Sequence, residues 1–397
     1  MRTINNHNFK NQKALMRVDF NVPLNGNLEV TDNNRIQGAL PSIQKILKDG
    51  GAVVLMSHLG RPKGEASEKY SLKNVVGEAS KLLGQDVKFV ADSVGEEVQK
   101  AVDGLQSGEV LLLENLRFYA EEKKGDAAFA KQLAGLGCNI YVNDAFGTAH
   151  RAHASTHTVA QFFDADKRMF GLLMAAELEN AQKVMHNPAR PFTAILGGAK
   201  VSDKILLIEN MLDKVDKLII GGGMAYTFHK AQGGRIGGSL CEDDKLDLAK
   251  ELLQKANEAG VELLIPYDSV IADAFSNEAN IEMASSQSIP EGWMGLDIGT
   301  NARQHFAKVI EESKTILWNG PMGVFEMSNF EAGTKTVAEA VVKATQNGAY
   351  SLIGGGDSAA AIRQFGFADE VSYVSTGGGA MLELLEGKEL PGIEAMG

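Results

Sequence analysis

The sequence predicts an α/β protein built from two parallel-sheet domains. Its 397 residues are more than one ordinary core accommodates. Short apolar runs recur along it, each closed by glycine or a polar cluster. Helix-length segments separate these runs, and strands that alternate with helices form parallel sheets.

In the first half, strands are predicted at ALMRV (14–18), AVVLM (52–56), EVLLL (109–113) and NIYV (139–142). GLLMAAELENAQKVMH then reads as one long helix, which the two prolines of NPARP stop. A boundary therefore falls near 171–191. The next strand is FTAIL (192–196), followed by the segment VSDKILLIENMLDKV. There Val201, Ile205, Ile208, Leu212 and Val215 recur near the helical period. Ser202 and Asp203 stand at its start, where unpaired helix N–H groups accept such residues. Further strands are predicted at KLII (217–220), ELLI (262–265), TILW (315–318), YSLI (350–353) and SYVS (372–375). The expected organisation is a domain over 1–170, a helix and linker over 171–191, a second domain over 192–379, and a tail over 380–397.

A net charge of −12 excludes nucleic acid as the main partner, because a phosphate-backbone binder needs a broad basic face. It leaves room for a small anion in a local basic pocket. No apolar run approaches the ~18 residues needed to cross a bilayer, so no membrane association is expected. The start, MRTINNHNFKNQKALM, carries no targeting pattern. Cys138 and Cys241 are too few and too far apart for a disulfide framework or a zinc site, which fits a reducing cytoplasm.

Ligands of open parallel sheets bind beyond the carboxyl ends of the strands. In the first half those ends carry cations and hydrogen-bonding groups. RVDFNVP supplies Asp19 and Asn21; SHLGRPKG supplies His58, Arg61 and Lys63; ENLRF supplies Arg117; AFGTAHRAH supplies His150 and Arg151. Arg35 precedes a predicted helix. One such arginine is explained by an ordinary surface pair. Several at successive strand ends, each presenting a fixed fork of donors, point to a pocket for a small polyanion. His150, His153 and His157 have helical metal-site spacing, but no neighbouring carboxylate or thiolate completes a site and Arg151 repels a cation. His150 is read as an anion donor, and His153 and His157 as structural.

In the second half the strand ends carry glycine: LGGAKVSDK, GGGMAY, NGPMGVFE, GGGDSAAA and TGGGAM. Glycine lets a backbone approach a ligand closely, and a helix start presents free N–H groups to phosphate. One such loop is weak evidence; a series of them in one domain, joined to Lys200, Lys204 and Asp357, is a phosphate cradle. The P-loop, dinucleotide, nucleophile-elbow and protein-kinase fingerprints are absent. The chemistry that fits is phosphoryl transfer, which needs positioning and positive charge around the moving group. Arg35 and Lys200 are the candidates for that charge. Asp357, after three glycines, suits a Mg²⁺ held beside phosphates, or is an N-cap. Glu326 suits ribose hydroxyls, or is a surface acid. No general base stands out, and none is needed if the attacking group is a carboxylate already ionised at neutral pH.

RVDFNVP, SHLGRPKG, ENLRF, NDAFGTAHRAHAST, LGGAKVSDK, WNGPMGVFE, GGGDS and STGGGA occur in the order found in phosphoglycerate kinases, and the resemblance runs from residue 16 to the tail. Ser358 stands where many relatives carry Thr and keeps the hydroxyl. The resemblance implies two Rossmann-like domains joined by a helical hinge, with the tail packed back on the first. It implies reversible, Mg²⁺-dependent transfer of the acyl phosphate of 1,3-bisphosphoglycerate to ADP, giving 3-phosphoglycerate and ATP, by a cytoplasmic monomer that closes about the hinge. The sugar-acid site is then Asp19, Asn21, Arg35, His58, Arg61, Arg117 and Arg151. The nucleotide site is Lys200, Lys204, Asn319, Glu326, Gly355, Gly356, Asp357 and Ser358. The resemblance makes Arg35, Lys200 and the helix-start amides around Gly378 the groups that face the transferring phosphoryl. Two alternatives remain at this point: a kinase for another carboxylate, which should lack the arginine set, and a non-catalytic two-domain clamp for a phosphorylated metabolite.

Overall fold

The computed structural model describes residues 1–397. The chain divides into two compact units, one formed by Met1–Glu179 with Glu389–Gly397 and the other by Asn180–Lys388. The division between Glu179 and Asn180 falls within the helix and linker expected over 171–191, inside the helix Leu172–Met185, and the return to the first unit comes at Glu389, after the helix Gly379–Leu385 and later than the expected tail over 380–397.

The first unit holds a sheet of β1 (Lys13–Arg17), β2 (Ala52–Met56), β3 (Val87–Phe89), β4 (Val110–Leu112), β5 (Ile140–Asn143) and β6 (Arg168–Phe170), ordered β3-β4-β2-β1-β5-β6. Every pairing is parallel, with Leu15 of β1 opposite Val54 on one side and Tyr141 on the other. Strands covered on both faces read as near-continuous apolar runs, and the residues of β2, β4 and β5 are all buried. Met16, Phe20, Ile36, Ile43, Leu55 and Val142 belong to its core. β1 leads to β2 on one side and β5 leads to β6 on the other, so the switch point lies between the carboxyl ends of β1 and β5. The two edge-ward strands β3 and β6, three residues each, have no run long enough to be read from sequence.

The second unit contains β7 (Phe192–Leu196), β8 (Lys217–Ile220), β9 (Arg235–Ile236), β10 (Glu262–Leu264), β11 (Asp268–Ala272), β12 (Ile281–Ser285), β13 (Ser288–Ile289), β14 (Met294–Ile298), β15 (Thr315–Asn319), β16 (Tyr350–Gly354) and β17 (Tyr373–Val374). Six of these form a parallel sheet in the order β10-β8-β7-β15-β16-β17. Its switch point lies between β7 and β15, over a core that includes Ile195, Ile219, Phe306, Trp318 and Ile353. The antiparallel sheet β12-β11-β14 and the pair β13-β9 were not expected. β12 is short and exposes most of its side chains, Ile281 and Met283 among them.

Gly171 precedes the helix Leu172–Met185 and has no side chain with which to cap it. Other elements supply the acceptors: Leu172 N–H donates to Ser42 Oγ at 2.8 Å and Met174 N–H to Asp144 Oδ1 at 3.0 Å. Asp144 is fully buried and its Oδ2 has no hydrogen-bond partner. Burial pushes this carboxyl up to about 7, against the pull of the Ser42 hydroxyl and the helix N–H groups. Between an unfolded value of 3.8 and about 7 the native state therefore binds more protons than the unfolded state. Stability falls as pH rises through that window, by at most ~1.4 kcal/mol per pH unit from this group. Asp144→Asn keeps an acceptor for Met174 and removes the titration. In urea unfolding, the variant should gain stability relative to the parent between about pH 5 and pH 7. A difference that stays constant over that range would mean an ionised Asp144 throughout.

Candidate active site

The candidate anion site is built from loops at the carboxyl ends of β1, β2, β4 and β5. Asp19 follows β1 and accepts from Arg35 Nη1 at 2.8 Å. Arg35 lies in the first turn of the helix Asn34–Lys48, and its side chain is 39% exposed. Asn21 Oδ1 accepts from Gly60 N–H at 2.8 Å, and Arg117 Nη1 donates to Gly60 O at 2.7 Å. The loop after β2 is thus held from both sides at one glycine. Asn115 fixes the same loop from below, donating to Leu59 O and Tyr70 O at 2.8 Å and accepting from Arg117 N–H.

The guanidinium groups of Arg17, Arg35, Arg117 and Arg151 outnumber the carboxylates beside them, Asp19 and Glu122. Arg117 is buried and its Nε has no partner. Burial, with Arg17 and Arg151 nearby, brings its guanidinium down to about 10. His58 is buried, and burial with the charges of Arg17, Arg117 and Arg35 holds it well below the usual imidazole value. Arg151 Nε donates to His150 Nε2 at 3.1 Å. His153 Nδ1 lies 3.9 Å from Glu122 Oε1, and burial brings that imidazole down to about 3. Arg61 is exposed on the loop after β2, with no hydrogen bond or ion pair within the protein. The cluster thus gathers Asp19, Asn21, Arg35, His58, Arg117 and Arg151 at neighbouring strand ends, and leaves Arg61 at its margin.

The last residues of the chain brace this site. Gly392 N–H donates to Ala149 O at 2.8 Å, Asn143 Nδ2 to Gly392 O at 3.0 Å, and Arg168 Nη1 to Ala395 O at 2.8 Å.

In the second unit a cavity of about 300 Å³ opens beyond β7, β15 and β16. Its walls are Gly197–Lys200 with Asp203 and Lys204, then Asn319 and Gly320, Gly355–Ser358, and Gly378, Gly379 and Leu382. The predicted Lys200, Lys204, Asn319, Gly355, Gly356, Asp357, Ser358 and Gly378 all line it. Glu326 does not; it is exposed farther along the loop after β15.

Lys204 Nζ donates to Asn319 Oδ1. Burial pulls the Lys204 ammonium below its ordinary value, and Asp203, Asp357 and Glu386 oppose that pull. Asn319 Nδ2 is buried without a partner. Gly320 N–H donates to Ser358 Oγ at 2.5 Å. Two helices start at the cavity, Gly356–Gln364 and Gly379–Leu385. The predicted helix start at Ser202 and Asp203 is corrected: the helix begins at Ile205, and residues 201–204 form a turn. Ser202 bonds Glu242 instead, through its N–H at 3.0 Å and its Oγ at 2.6 Å. The turn still leaves Lys200 and Lys204 on one cavity wall.

An arginine-rich anion site on one sheet and a lysine-bearing glycine cavity on another define a two-unit α/β phosphotransferase. A sequence profile for phosphoglycerate kinase matches residues 4–388. The chain belongs to the phosphoglycerate kinase family, glycolytic kinases that transfer phosphate to a carboxyl group. It is 54% identical to the phosphoglycerate kinase of Porphyromonas gingivalis, over 99% of each chain. It is also 54% identical to the cytosolic phosphoglycerate kinase 3 of Arabidopsis thaliana, over 99% of this chain and 97% of that one. The phosphoglycerate kinase structure from Coxiella burnetii superposes with a TM-score of 0.89 at 42% identity, over 99% of this chain and 98% of that one.

The sequence reading missed Arg17, fully buried at the end of β1. An arginine inside an apolar run of a doubly covered sheet is itself a signal, because a buried charge must be paired or serve a site.

Proposed function

We propose that the anion site of the first unit takes 3-phosphoglycerate or 1,3-bisphosphoglycerate, and that the cavity of the second takes the Mg²⁺-nucleotide. The reaction is transfer of the acyl phosphate to ADP, giving 3-phosphoglycerate and ATP, and its reverse. The observation that carries this reading is the cavity itself: two lysines, a helix-start aspartate and four glycine-bearing loops around about 300 Å³.

Asp19, Asn21, His58, Arg117 and Arg151 orient the sugar acid, with Arg61 reaching in from the margin. Arg35 has donors left after its bond to Asp19 and directs them at the moving phosphoryl. Lys200 and the amides beginning at Gly378 do the same from the nucleotide side. Lys204, Asn319, Gly355, Gly356 and Ser358 hold the phosphates, and Glu326 meets the ribose. No group of three or more His, Cys, Asp or Glu gathers to hold a metal ion. One aspartate beside a phosphate cavity fits a Mg²⁺ that completes its shell with phosphate oxygens and water. When bound, Mg²⁺ neutralises charge on those oxygens. The attacking 3-phosphoglycerate carboxylate is ionised at neutral pH, so this chain supplies charge and orientation and needs no base. The reading takes the chain as a cytoplasmic monomer. Nothing in the comparisons supports a non-catalytic clamp.

The test is ATP-dependent phosphorylation of 3-phosphoglycerate, coupled to NADH oxidation through glyceraldehyde-3-phosphate dehydrogenase. Activity should require Mg²⁺ and vanish in Lys200→Ala. A folded, ATP-binding preparation without activity would refute the reading. Asp357→Ala should raise the Mg²⁺ needed for half-maximal rate by about tenfold, the cost of one charged ligand contact. Calorimetric 3-phosphoglycerate affinity should stay unchanged. Equal weakening of both ligands would remove Asp357 from the metal site.

A further inference from the structure

We propose that Arg17 is a positioning residue that holds His58 as a neutral imidazole with its proton on Nε2. The inference rests on the reading of His58 as a sugar-acid ligand and adds the device that sets its hydrogen-bonding sense.

The argument follows from donors and acceptors. Arg17 is fully buried, and its Nη2 lies 3.1 Å from His58 Nδ1. A guanidinium has only donors and keeps its charge in proteins. His58 Nδ1 must therefore be the acceptor, which places the single proton of the neutral ring on Nε2. That nitrogen has no hydrogen-bond partner within the protein, and it is not among the buried atoms that lack one. It retains contact with solvent and can donate to an incoming anion.

Arg17 is itself locked. Its Nε donates to Ser155 Oγ at 2.9 Å, and its Nη1 donates to Val18 O. Ser155 Oγ then donates to Glu122 Oε1 at 2.6 Å, and Ser155 N–H to Glu122 Oε2 at 3.0 Å. Every bond has a fixed sense, running from the His58 acceptor through Arg17 and Ser155 to the buried Glu122. Glu122 supplies the charge that a buried guanidinium needs, while burial pushes its carboxyl up and Arg17 draws it back.

The charged groups around His58 pull in opposite senses, and the cations are the more numerous. Asp19 Oδ1 is 3.9 Å from Nδ1, beyond hydrogen-bond reach. Burial and the charges of Arg17, Arg117 and Arg35 disfavour the imidazolium. A neutral ring with the opposite tautomer would set N–H against N–H at Arg17 and offer the anion a lone pair. Arg17 thus turns a ring that could repel the substrate into a donor.

The test uses the full-length protein with ¹⁵N-labelled histidine. Long-range ¹H–¹⁵N spectra near pH 7, with His58 identified by loss of its signals in His58→Gln, should show the Nε2–H tautomer. Arg17→Lys should replace that fixed pattern by tautomer averaging and raise the Kd for 3-phosphoglycerate about tenfold, with the Kd for ATP unchanged. In a His58→Gln background the same change should cost under about twofold, because an amide donor has no tautomer to lose. An Nδ1–H or charged His58 in the parent protein would overturn the proposal. So would an Arg17→Lys variant with the parent pattern and affinity. If Arg17→Lys does not fold, the parent spectrum still decides, and Ser155→Ala should move His58 in the same direction. A fixed Nε2–H signal that 3-phosphoglycerate leaves unmoved would overturn the sugar-acid reading of the site and not the tautomer assignment.

Discussion

Arg35→Ala lowers kcat by about 10³-fold, the low end of what an arginine on a transferring phosphoryl contributes, and leaves the KM for ATP nearly unchanged. The expectation follows from how Arg35 is held. One arm of its fork is bound by Asp19 at 2.8 Å, and its half-exposed side chain keeps the remaining donors available. A factor of 10³ is about 4 kcal/mol of transition-state stabilisation, more than an exposed ion pair with Asp19 is worth. A loss of that size therefore cannot come from the Asp19 contact alone. Asp19→Asn supplies the control: it loosens the hold on Arg35, keeps the guanidinium, and should cost about tenfold. Steady-state rates in both directions decide the matter. A fall under tenfold in Arg35→Ala would take this residue away from the moving group and leave it a sugar-acid ligand.

The second large effect is expected at Gly320. Its φ of +113° lies where side chains are strained, and a Cβ there would run into the backbone of Gly197. Gly197 is closed in the same way, because its own Cβ would meet Pro321 O and Gly320 O. The loops after β7 and β15 therefore touch main chain to main chain at the switch point. Gly320 also anchors its surroundings, accepting from Trp318 Nε1 at 2.8 Å and donating to Ser358. Gly320→Ala combines backbone strain with a forced separation of two loops and should destabilise the second unit by about 3 kcal/mol or more. ATP affinity should fall at least about 100-fold, while 3-phosphoglycerate affinity persists. Gly356 gives the contrast. Nothing lies within 4 Å of a Cβ built there, and alanine is the better helix former. Gly356→Ala should keep the melting temperature and still weaken ATP, because the added methyl occupies space meant for phosphate. If both variants lose stability alike, Gly356 is structural as well. If neither weakens ATP, the cavity is not the nucleotide site.

Much of this was legible because parallel strands buried on both faces leave unbroken apolar runs, and β2, β7 and β8 start and stop where those runs do. The glycine loops were legible for a related reason: a backbone that must approach a ligand or another loop excludes every side chain. What escaped the sequence has physical causes too. β3 and β6 are too short to show a period. The antiparallel insert puts β12 at its edge, where Ile281 and Met283 stay exposed, so this brief alternation marks no buried face. The start at Ser202 and Asp203 looked like a helix cap, but Glu242, forty residues away, claims Ser202. Arg17 shows locally only as a charge inside an apolar strand, and its purpose is not local, because its partners Ser155 and His58 are 138 and 41 residues distant.

The loop that carries Arg151 is tied through Ala149 to Gly392, and β5 reaches the same glycine through Asn143. Residues remote in sequence therefore fasten what the first unit's own strands leave loose. Removal of Glu389–Gly397 should leave most of the first core in place, since Met16, Phe20, Ile36 and Val142 lie outside that segment, while the Arg151 loop loses its anchor.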